Sequence, residues 1–455
     1  MTDLHAHKRW GLVEQFDRHN PYVSDKIARD IRENRMGVFS LQFFDAEGNR
    51  IYPESVQVKQ TSHEFKFGCS LFLLDQFPEA ERNAKYREAF KKIFNYGVAP
   101  LYWKDLEPEK GKPRFDKDAP YIWRRPPVDL VRDYCRENNI RMKGHCLAYN
   151  SFNPDWLPND NRGINIALAR RVAALGERYR WDFEDLDVIN EMYTIYKNCY
   201  KGNGCSDLQI TDEADHEKFC FDLAKREFPC TRLFWNEGCF ETFGQAGYNG
   251  TRSRYYLMLR RQLEMGTRIE GIGMQFHAFT GRDNEVQSAG ILYNALRTLD
   301  IFDCYSDFKL PIHLSEISIP SWSNEPEDEA IQAELVERML TLWFSQKYVD
   351  AVVWWNLCDG TAFGGENVFH AGLMRNDISP KPAYEVFDRL INREWHTEFA
   401  GSAAGEKFVF DGYYGNYAVA FIHNGKKYER EIRLFRDTTG YDNRLADWRI
   451  SRVKI

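Results

Sequence analysis

At 455 residues the chain can bury a large core and has room for one barrel-sized domain plus a smaller appendage. Its net charge of -7 mixes both signs without a basic stripe, which argues against nucleic acid as a partner. No apolar run is long enough to cross a bilayer, so no membrane partner is expected either.

Residues 1–62 stand outside the rhythm of the rest. Residues 38–44 are strand-like, 45–49 read as a turn and 56–59 alternate again, which predicts a β-hairpin flanking the main domain. From Phe65 the pattern becomes strand, loop, helix. Strands are predicted over 65–72, 97–103, 140–147, 186–190, 231–235, 269–276, 311–315 and 351–356. Helical spacing of apolar residues falls at 79–94, 128–138, 164–180, 213–228, 254–265, 329–344 and 380–391. Eight strands alternating with helices over residues 63–394 predict an α/β fold, a (β/α)8 TIM barrel. The rival doubly wound sheet lacks its glycine-rich first turn here. Beyond Trp395, residues 407–410, 417–422 and 431–435 alternate in the β manner, with Asn424-Gly425 as a hairpin turn. Residues 395–455 are expected to pack with the N-terminal hairpin as a small sandwich-like β appendage.

Two of the apolar strands end in carboxylates. Leu186-Asp187-Val188-Ile189 runs into Asn190-Glu191 at the tip of the fourth, and Pro311-Ile312-His313-Leu314-Ser315 runs into Glu316 at the tip of the seventh. A parallel strand covered on both faces is apolar along its length, and polar strand tips are what a barrel displays in its active-site mouth. Strands four and seven face each other across that mouth, so the two side chains can converge. Glycosidic bonds are cleaved by such a pair, and enzymes that retain the anomeric configuration hold the carboxyl groups about 5–5.5 Å apart. The reading is a retaining glycoside hydrolase with Glu191 as acid/base and Glu316 as nucleophile. Glu191 is expected to hold a proton before cleavage and to be charged afterwards. A second Asn-Glu, in Trp235-Asn236-Glu237, falls on the fifth strand, and Glu237 is assigned a supporting role or none.

Other short runs fall in a fixed order around these two. Leu106-Glu107-Pro108 with Gly111 follows strand two, and Gly144-His145-Cys146-Leu147 lies on strand three. Gly271-Ile272-Gly273-Met274-Gln275-Phe276-His277 lies on strand six, and Pro380-Lys381-Pro382-Ala383-Tyr384 opens the closing helix. With Asp187-Val188-Ile189-Asn190-Glu191 and Leu314-Ser315-Glu316-Ile317, they resemble glycoside hydrolase family 10, the xylanase family of retaining (β/α)8 enzymes, from about residue 65 to 390. The resemblance implies that Asn190 hydrogen-bonds the sugar 2-hydroxyl and that His145 and Gln275 line the same subsite. It also implies that His277 lies against Glu316, orienting it and keeping it ionised. Tyr102, Trp103, Tyr149, Trp355 and Phe363 are further candidate substrate-binding residues. The implied substrate is a carbohydrate, β-1,4-xylan-derived oligosaccharides or β-xylosides, with no cofactor and no metal.

The departures from the family pattern are specific too. Where the family carries E-N-x-x-K-W on strand two, this chain reads Val98-Ala99-Pro100-Leu101-Tyr102-Trp103, without the amide, the acid or the lysine. Tyr149-Asn150 stands for the usual Trp-His, Ser318 for an Asp, and Phe363 for the second tryptophan of strand eight, while Trp355 matches the first. The chemistry is kept while the wall that recognises a xylan chain on the non-reducing side is rebuilt. The alternatives are therefore a β-glucosidase- or β-galactosidase-type hydrolase on the same scaffold, or a catalytically silent sugar-binding barrel. The silent barrel would be expected to have lost one of Glu191, Glu316, Asn190 or His277. A metal-dependent hydrolase lacks the His and Asp ligands at the strand tips.

Ten cysteines are scattered without a dense framework, which suits reduced thiols. Cys199 and Cys205, in a loop with Gly202 and Gly204, are the one pair to watch; two free thiols are expected, and the second ligand pair a zinc site would need is missing. The N-terminus lacks the charged-then-apolar pattern of a secretion signal, and the expected location is the cytoplasm.

Overall fold

The computed structural model of the protein describes residues 8–149, 151–158, 160–192, 215–244, 248–402, 408–436 and 450–455. Strands β1 (Met36–Phe44), β2 (Arg50–Ile51) and β3 (Ser55–His63) precede the barrel. The barrel strands are β4 (Lys66–Ser70), β5 (Tyr96–Pro100), β6 (Arg141–Tyr149), β7 (Phe183–Asn190), β8 (Arg232–Glu237), β9 (Gly271–His277), β10 (Ile312–Ser318) and β11 (Val349–Trp354). All eight run parallel and the ring closes where β11 pairs with β4, Ala351 opposite Lys66. Strands β4, β5 and β10 are buried at every position, which is why each reads as an apolar run rather than an alternation.

The helices that cover the ring carry their own start signals. Helix Asn161–Tyr179 begins after Asp160, whose side chain accepts the Gly163 N–H at 2.7 Å. Helix Pro326–Ser345 opens with a proline and with Glu327, Asp328 and Glu329 in its first turn, where negative charge meets the positive end of the helix dipole. Strand and neighbour approach so closely at Gly271 that a Cβ there would lie 2.2 Å from the Phe234 ring.

Among the described residues, three helices of eight residues or more escaped the sequence reading, namely Trp10–Asp17, Tyr22–Arg35 and Ala295–Tyr305. Tyr22–Arg35 carried a signal, since its buried residues Val23, Ile27 and Ile31 recur every four positions. Arg35 ends that helix and anchors it to the barrel, donating to the carbonyls of Phe344, Gln346 and Val349.

The terminal segments build two four-stranded sheets, with one correction to the expected hairpin. Strand β1 turns back onto the short β2, Phe43 opposite Ile51, whereas β3 crosses into the other sheet. Each N-terminal strand instead finds a C-terminal partner. Strand β12 (Glu398–Gly401) pairs with β3, β13 (Phe408–Tyr413) with β1, and β14 (Gly415–His423) with β3 on its other side. Strand β15 (Lys426–Leu434) follows β14 through Asn424 and Gly425, at φ 51° and 71°, the left-handed pair a two-residue hairpin turn requires. Strand β16 (Ile450–Lys454) runs parallel to β1. Alternate residues Phe39, Leu41 and Phe43 face Val56, Val58, Val419 and Phe421 in one apolar core, the sandwich expected from the alternation.

A cluster of charge lies at the N-terminal end of the barrel, opposite the mouth. Asp185, fully buried, is held by Arg232 Nε at 2.7 Å, Lys66 Nζ at 3.5 Å and the Tyr96 hydroxyl at 2.6 Å. Asp350 takes Lys66 Nζ at 2.9 Å, Arg232 Nη1 at 2.9 Å and His313 Nε2 at 2.9 Å. Among the described residues no helix is long and apolar enough to cross a membrane, and the cysteines are free thiols. Cys199 and Cys205 lie outside the described residues.

Candidate active site

A cavity of about 370 Å³ opens at the C-terminal ends of the barrel strands. Seven strands contribute through their tips or the residues just beyond them. Tyr102 follows β5, His145 and Tyr149 lie on β6, Asn190 and Glu191 end β7, Gln275 and His277 lie on β9, Glu316 on β10, and Trp355 follows β11. Phe72, after β4, lies against Trp355 with ring centroids 5.3 Å apart.

Glu191 and Glu316 meet through a shared donor. The Gln275 amide nitrogen lies 2.8 Å from Glu191 Oε1 and 3.1 Å from Glu316 Oε1, so these two oxygens are at most about 5.9 Å apart. The other oxygen of Glu191 accepts the Tyr149 hydroxyl at 2.7 Å. Asn236 donates to Glu316 Oε1 at 2.8 Å and to Asn190 Oδ1 at 2.7 Å. With Oδ1 accepting from Asn236 and, at 3.5 Å, from Gln275 Nε2, contact between Asn190 and a substrate falls to its NH2 group.

The charges around Glu316 pull in both directions. Burial is the largest influence and pushes its carboxyl up to about 8. The neighbouring negative charges of Glu191 and Asp187 push the same way, while His145 and the Asn236 hydrogen bond oppose them. His277 does lie against Glu316, Nε2 3.2 Å from Oε2, with Nδ1 2.9 Å from Ser318 Oγ. Burial lowers the His277 pKa, so the ring is neutral at pH 7 and acts on Glu316 through a hydrogen bond rather than a positive charge. The hydrogen bonds assign the tautomer, with Nε2–H toward Glu316 and Nδ1 accepting from Ser318.

His145 is fixed from behind. Its Nδ1 is 2.9 Å from Asp187 Oδ2, and its Nε2 points at Glu316 Oε1 from 3.8 Å. Burial works against the charge of Asp187, yet Lys143 at 2.8 Å and His145 outweigh it and hold the carboxyl below its ordinary range. A carboxylate that fixes a histidine ring supplies orientation at no further cost when substrate arrives.

Backbone strain gathers at the same mouth. Glu191, Phe152 and Arg124 line the cavity at φ 52°, 58° and 63°, a region that non-glycine residues enter only where the surroundings enforce it.

The family profile described as glycosyl hydrolase family 10 matches residues 61–389. The chain belongs to this family. The family-10 chain is 25% identical over 419 residues to the anti-sigma-I factor RsgI6 of Acetivibrio thermocellus, covering 90% of the chain and 48% of that relative. It is 27% identical over 406 residues to endo-1,4-beta-xylanase 3 of Arabidopsis thaliana, covering 86% and 47%. The chain thus spans about half the length of these curated relatives. Among solved structures, xylanase 10B from Thermotoga petrophila RKU-1 in complex with xylobiose matches with a TM-score of 0.56 at 18% identity, over 73% of this chain and 95% of that one. At that identity the likeness shows the fold.

Against the family-10 pattern, the candidate residues separate cleanly. His145, Tyr149, Asn190, Glu191, Gln275, His277, Glu316, Trp355, Phe363 and Tyr102 all line the cavity. Trp103 does not. The predicted strand 97–103 ends at Pro100, and Trp103 starts the short helix Trp103–Leu106, its indole donating to Glu107 at 3.1 Å and its ring packed edge-on to Trp156. Glu107 also accepts the Gly111 N–H at 2.7 Å, so the Leu106-Glu107-Pro108 motif braces a loop. Val98 and Ala99 do not form a wall of the cavity either. Val98 lies inside the barrel with Tyr96 and Val353, and Ala99 belongs to the core outside it.

Sequence reasoning missed Asn236 and a group of loop residues. Asn236 sits in the run set aside as a decoy, and only its register beside Asn190 gives it a role. Glu237, fully buried and accepting the Trp235 indole N–H at 2.9 Å, is the structural acid of that run. Arg124, Arg125, Ser151, Phe152 and Phe279 line the cavity from loops and Glu366 from the short 3-10 helix Gly364–Phe369, where no periodicity marks them. Asn150 lies outside the described residues.

Proposed function

We propose that this family-10 chain is a retaining glycoside hydrolase, with Glu316 as nucleophile and Glu191 as acid/base, acting on β-xylosides or oligosaccharides derived from β-1,4-xylan. The observation that carries the reading is the Gln275 amide between the two carboxyl groups. A separation of at most about 5.9 Å between the bridged oxygens falls short of the ~6.5–9.5 Å that leaves room for an attacking water in inverting enzymes. A Glu316 oxygen attacks the anomeric carbon while Glu191 gives its proton to the leaving oxygen, and a glycosyl ester forms as the glycosidic bond breaks. Glu191, now charged, takes a proton from water. The hydroxide attacks the same carbon from the leaving-group face, and Glu316 departs as a carboxylate. Each oxygen is positioned before substrate arrives, Glu316 by Asn236 and His277 and Glu191 by Tyr149, so little reorganisation is left for the transition state.

The test is the anomer first released from aryl β-glycosides and short β-oligosaccharides, followed by proton NMR, with Glu316→Ala as control. A β-product first, absent in the variant, supports the reading, and an α-product first overturns the nucleophile assignment. The same test separates this reading from a barrel that binds sugar without turning it over. Binding of these sugars without turnover would select it.

The proton count gives a pH prediction. The productive site carries one proton, on Glu191, while Glu316 is charged. With Glu316 held up to about 8, the pair keeps one proton through neutral pH and loses it as the pH rises through that value. Since kcat/KM reports the free enzyme, it should fall on the alkaline side with an apparent pKa near 8. An alkaline limb below pH 6 in a pH–rate profile would contradict the shared proton.

A further inference from the structure

One corner of the mouth carries positive charge that the double displacement does not use. Arg124 and Arg125 lie in the loop between helices Trp103–Leu106 and Val128–Glu137 and both line the cavity. Arg125 is accounted for, since its Nε meets Asp105 Oδ2 at 2.7 Å and its guanidinium lies 4.1 Å from the centre of the Tyr102 ring. Arg124 has no such counter-charge. Its side chain is nine-tenths buried or more, with the residue 3% exposed, and Nη1 donates to Asn356 Oδ1 at 2.7 Å and to the Thr361 carbonyl, both neutral.

Among the described residues no carboxylate lies within ion-pair distance of Arg124, and its Nε is buried without an acceptor. The acid that acts on it, Glu366, does so from farther away and is itself held by the Asn356 amide at 3.5 Å. Burial and the charge of Arg125 lower Arg124 to about 10, so it is still a cation at neutral pH. A buried cation short of acceptors is expensive; Arg35, also without a carboxylate among the described residues, fills its guanidinium with three backbone carbonyls, whereas Arg124 leaves its Nε unpaired. The φ of 63° at Arg124 adds backbone strain to that cost.

We propose that the cavity binds a glycoside bearing a carboxylate on the sugar, a uronic acid residue, with that carboxylate against Arg124. The proposal rests on the glycosidase reading for its sugar and on this corner for its charge. A guanidinium donates charge-assisted hydrogen bonds to a carboxylate, and with Nη1 occupied and Nε buried, Nη2 is the nitrogen left to present. Tyr102, Trp355 and Phe363 in the same cavity give the ring apolar faces to lie on. The two glutamates repel an anion, which sets the orientation, with the uronate carboxylate at the arginine corner and the anomeric carbon at the glutamates. The amide, acid and lysine missing from strand two suit a neutral chain. Arg124 on the following loop replaces them with recognition by charge.

The experiment compares xylo-oligosaccharides of equal length with and without one glucuronic acid substituent. Both binding by calorimetry and kcat/KM are measured at low and high salt. Wild type should prefer the acidic sugar by about tenfold or more, since charge-assisted hydrogen bonds are roughly twice as strong as neutral ones, and salt should erode the preference. Arg124→Gln should bring the ratio to within about twofold, and Arg124→Lys should restore part of it. Equal binding of the two sugars by wild type overturns the proposal, and that comparison stands even where Arg124→Gln fails to fold. A loss in Arg124→Gln that is the same for both sugars also overturns it, leaving a structural arginine. Preference for a sulfated sugar over the uronate overturns the carboxylate assignment. Arg124-dependent preference in binding with no turnover supports the charged subsite and removes the glycosidase reading instead.

Discussion

Replacing Glu316 by alanine is expected to cut turnover of aryl β-glycosides by about 10⁴-fold or more, because the first step loses its nucleophile outright. Azide should then restore activity in that variant. The anion fits the space vacated by the side chain and attacks from the face opposite the leaving group, so the product is an α-glycosyl azide. Glu191→Ala should behave differently. Substrates with poor leaving groups should lose about 10²–10⁴-fold, the usual worth of a positioned acid, while dinitrophenyl glycosides, which need no proton, should still load the enzyme. Azide attacks that glycosyl ester from the face the leaving group vacated and gives a β-glycosyl azide. The two product stereochemistries therefore assign the two roles independently of the rate losses. An α-azide from Glu191→Ala together with a β-azide from Glu316→Ala would exchange the assignments made here.

What the sequence revealed of this site, and what it withheld, follows from which physical constraints leave a linear trace. A strand covered on both faces must be apolar, so Leu186 to Ile189 and Ile312 to Leu314 stand out, and the polar residue that ends each run is visible at once. Strand counting then separates Glu191 from Glu237. The appendage was legible for a similar reason, since β3 and β14 each bury alternate residues. Pairing partners leave no such trace. Strands β1 and β3 alternate whether they pair with each other or with β13 and β14, so the expected hairpin was compatible with the pattern and still differs from the structure. Trp103 was misplaced because an apolar run does not tell where a strand gives way to a short buried helix. Arg124 and Phe152 could not be found at all, because their role depends on a left-handed backbone and on residues far away in the chain, Asn356 and Phe363 among them.

The charged cluster beneath the mouth sets the second large expected effect, on stability. Asp185→Ala should destabilise the protein by about 3–5 kcal/mol, the usual cost of removing one partner from a buried ion network. The loss would leave Lys66 buried with one counter-charge fewer and the Tyr96 hydroxyl without its acceptor. Asp185→Asn should cost less, because an amide oxygen still accepts from Tyr96. Burial opposes the charge on Asp185, but Lys66, Arg232 and His313 outweigh it and hold its folded pKa below the ordinary value, and Asp350 is held down in the same way. A carboxylate with a depressed folded pKa contributes stability that is present above its unfolded value, near pH 4, and is lost as the pH falls toward the folded one. His313 adds a loss at higher pH. Burial lowers it to about 4, so from about pH 6.5 downward the unfolded chain takes up a proton that the folded chain refuses. Both effects run the same way, and wild-type stability should fall on acidification, first through His313 and below pH 4 through the carboxylates. Urea denaturation of wild type and Asp185→Ala across pH 7 to 3 measures this directly. The gap between the two proteins should narrow as the pH drops below 4, and a gap below about 1 kcal/mol at pH 7 would show the cluster to be dispensable, leaving apolar packing to hold the floor of the barrel.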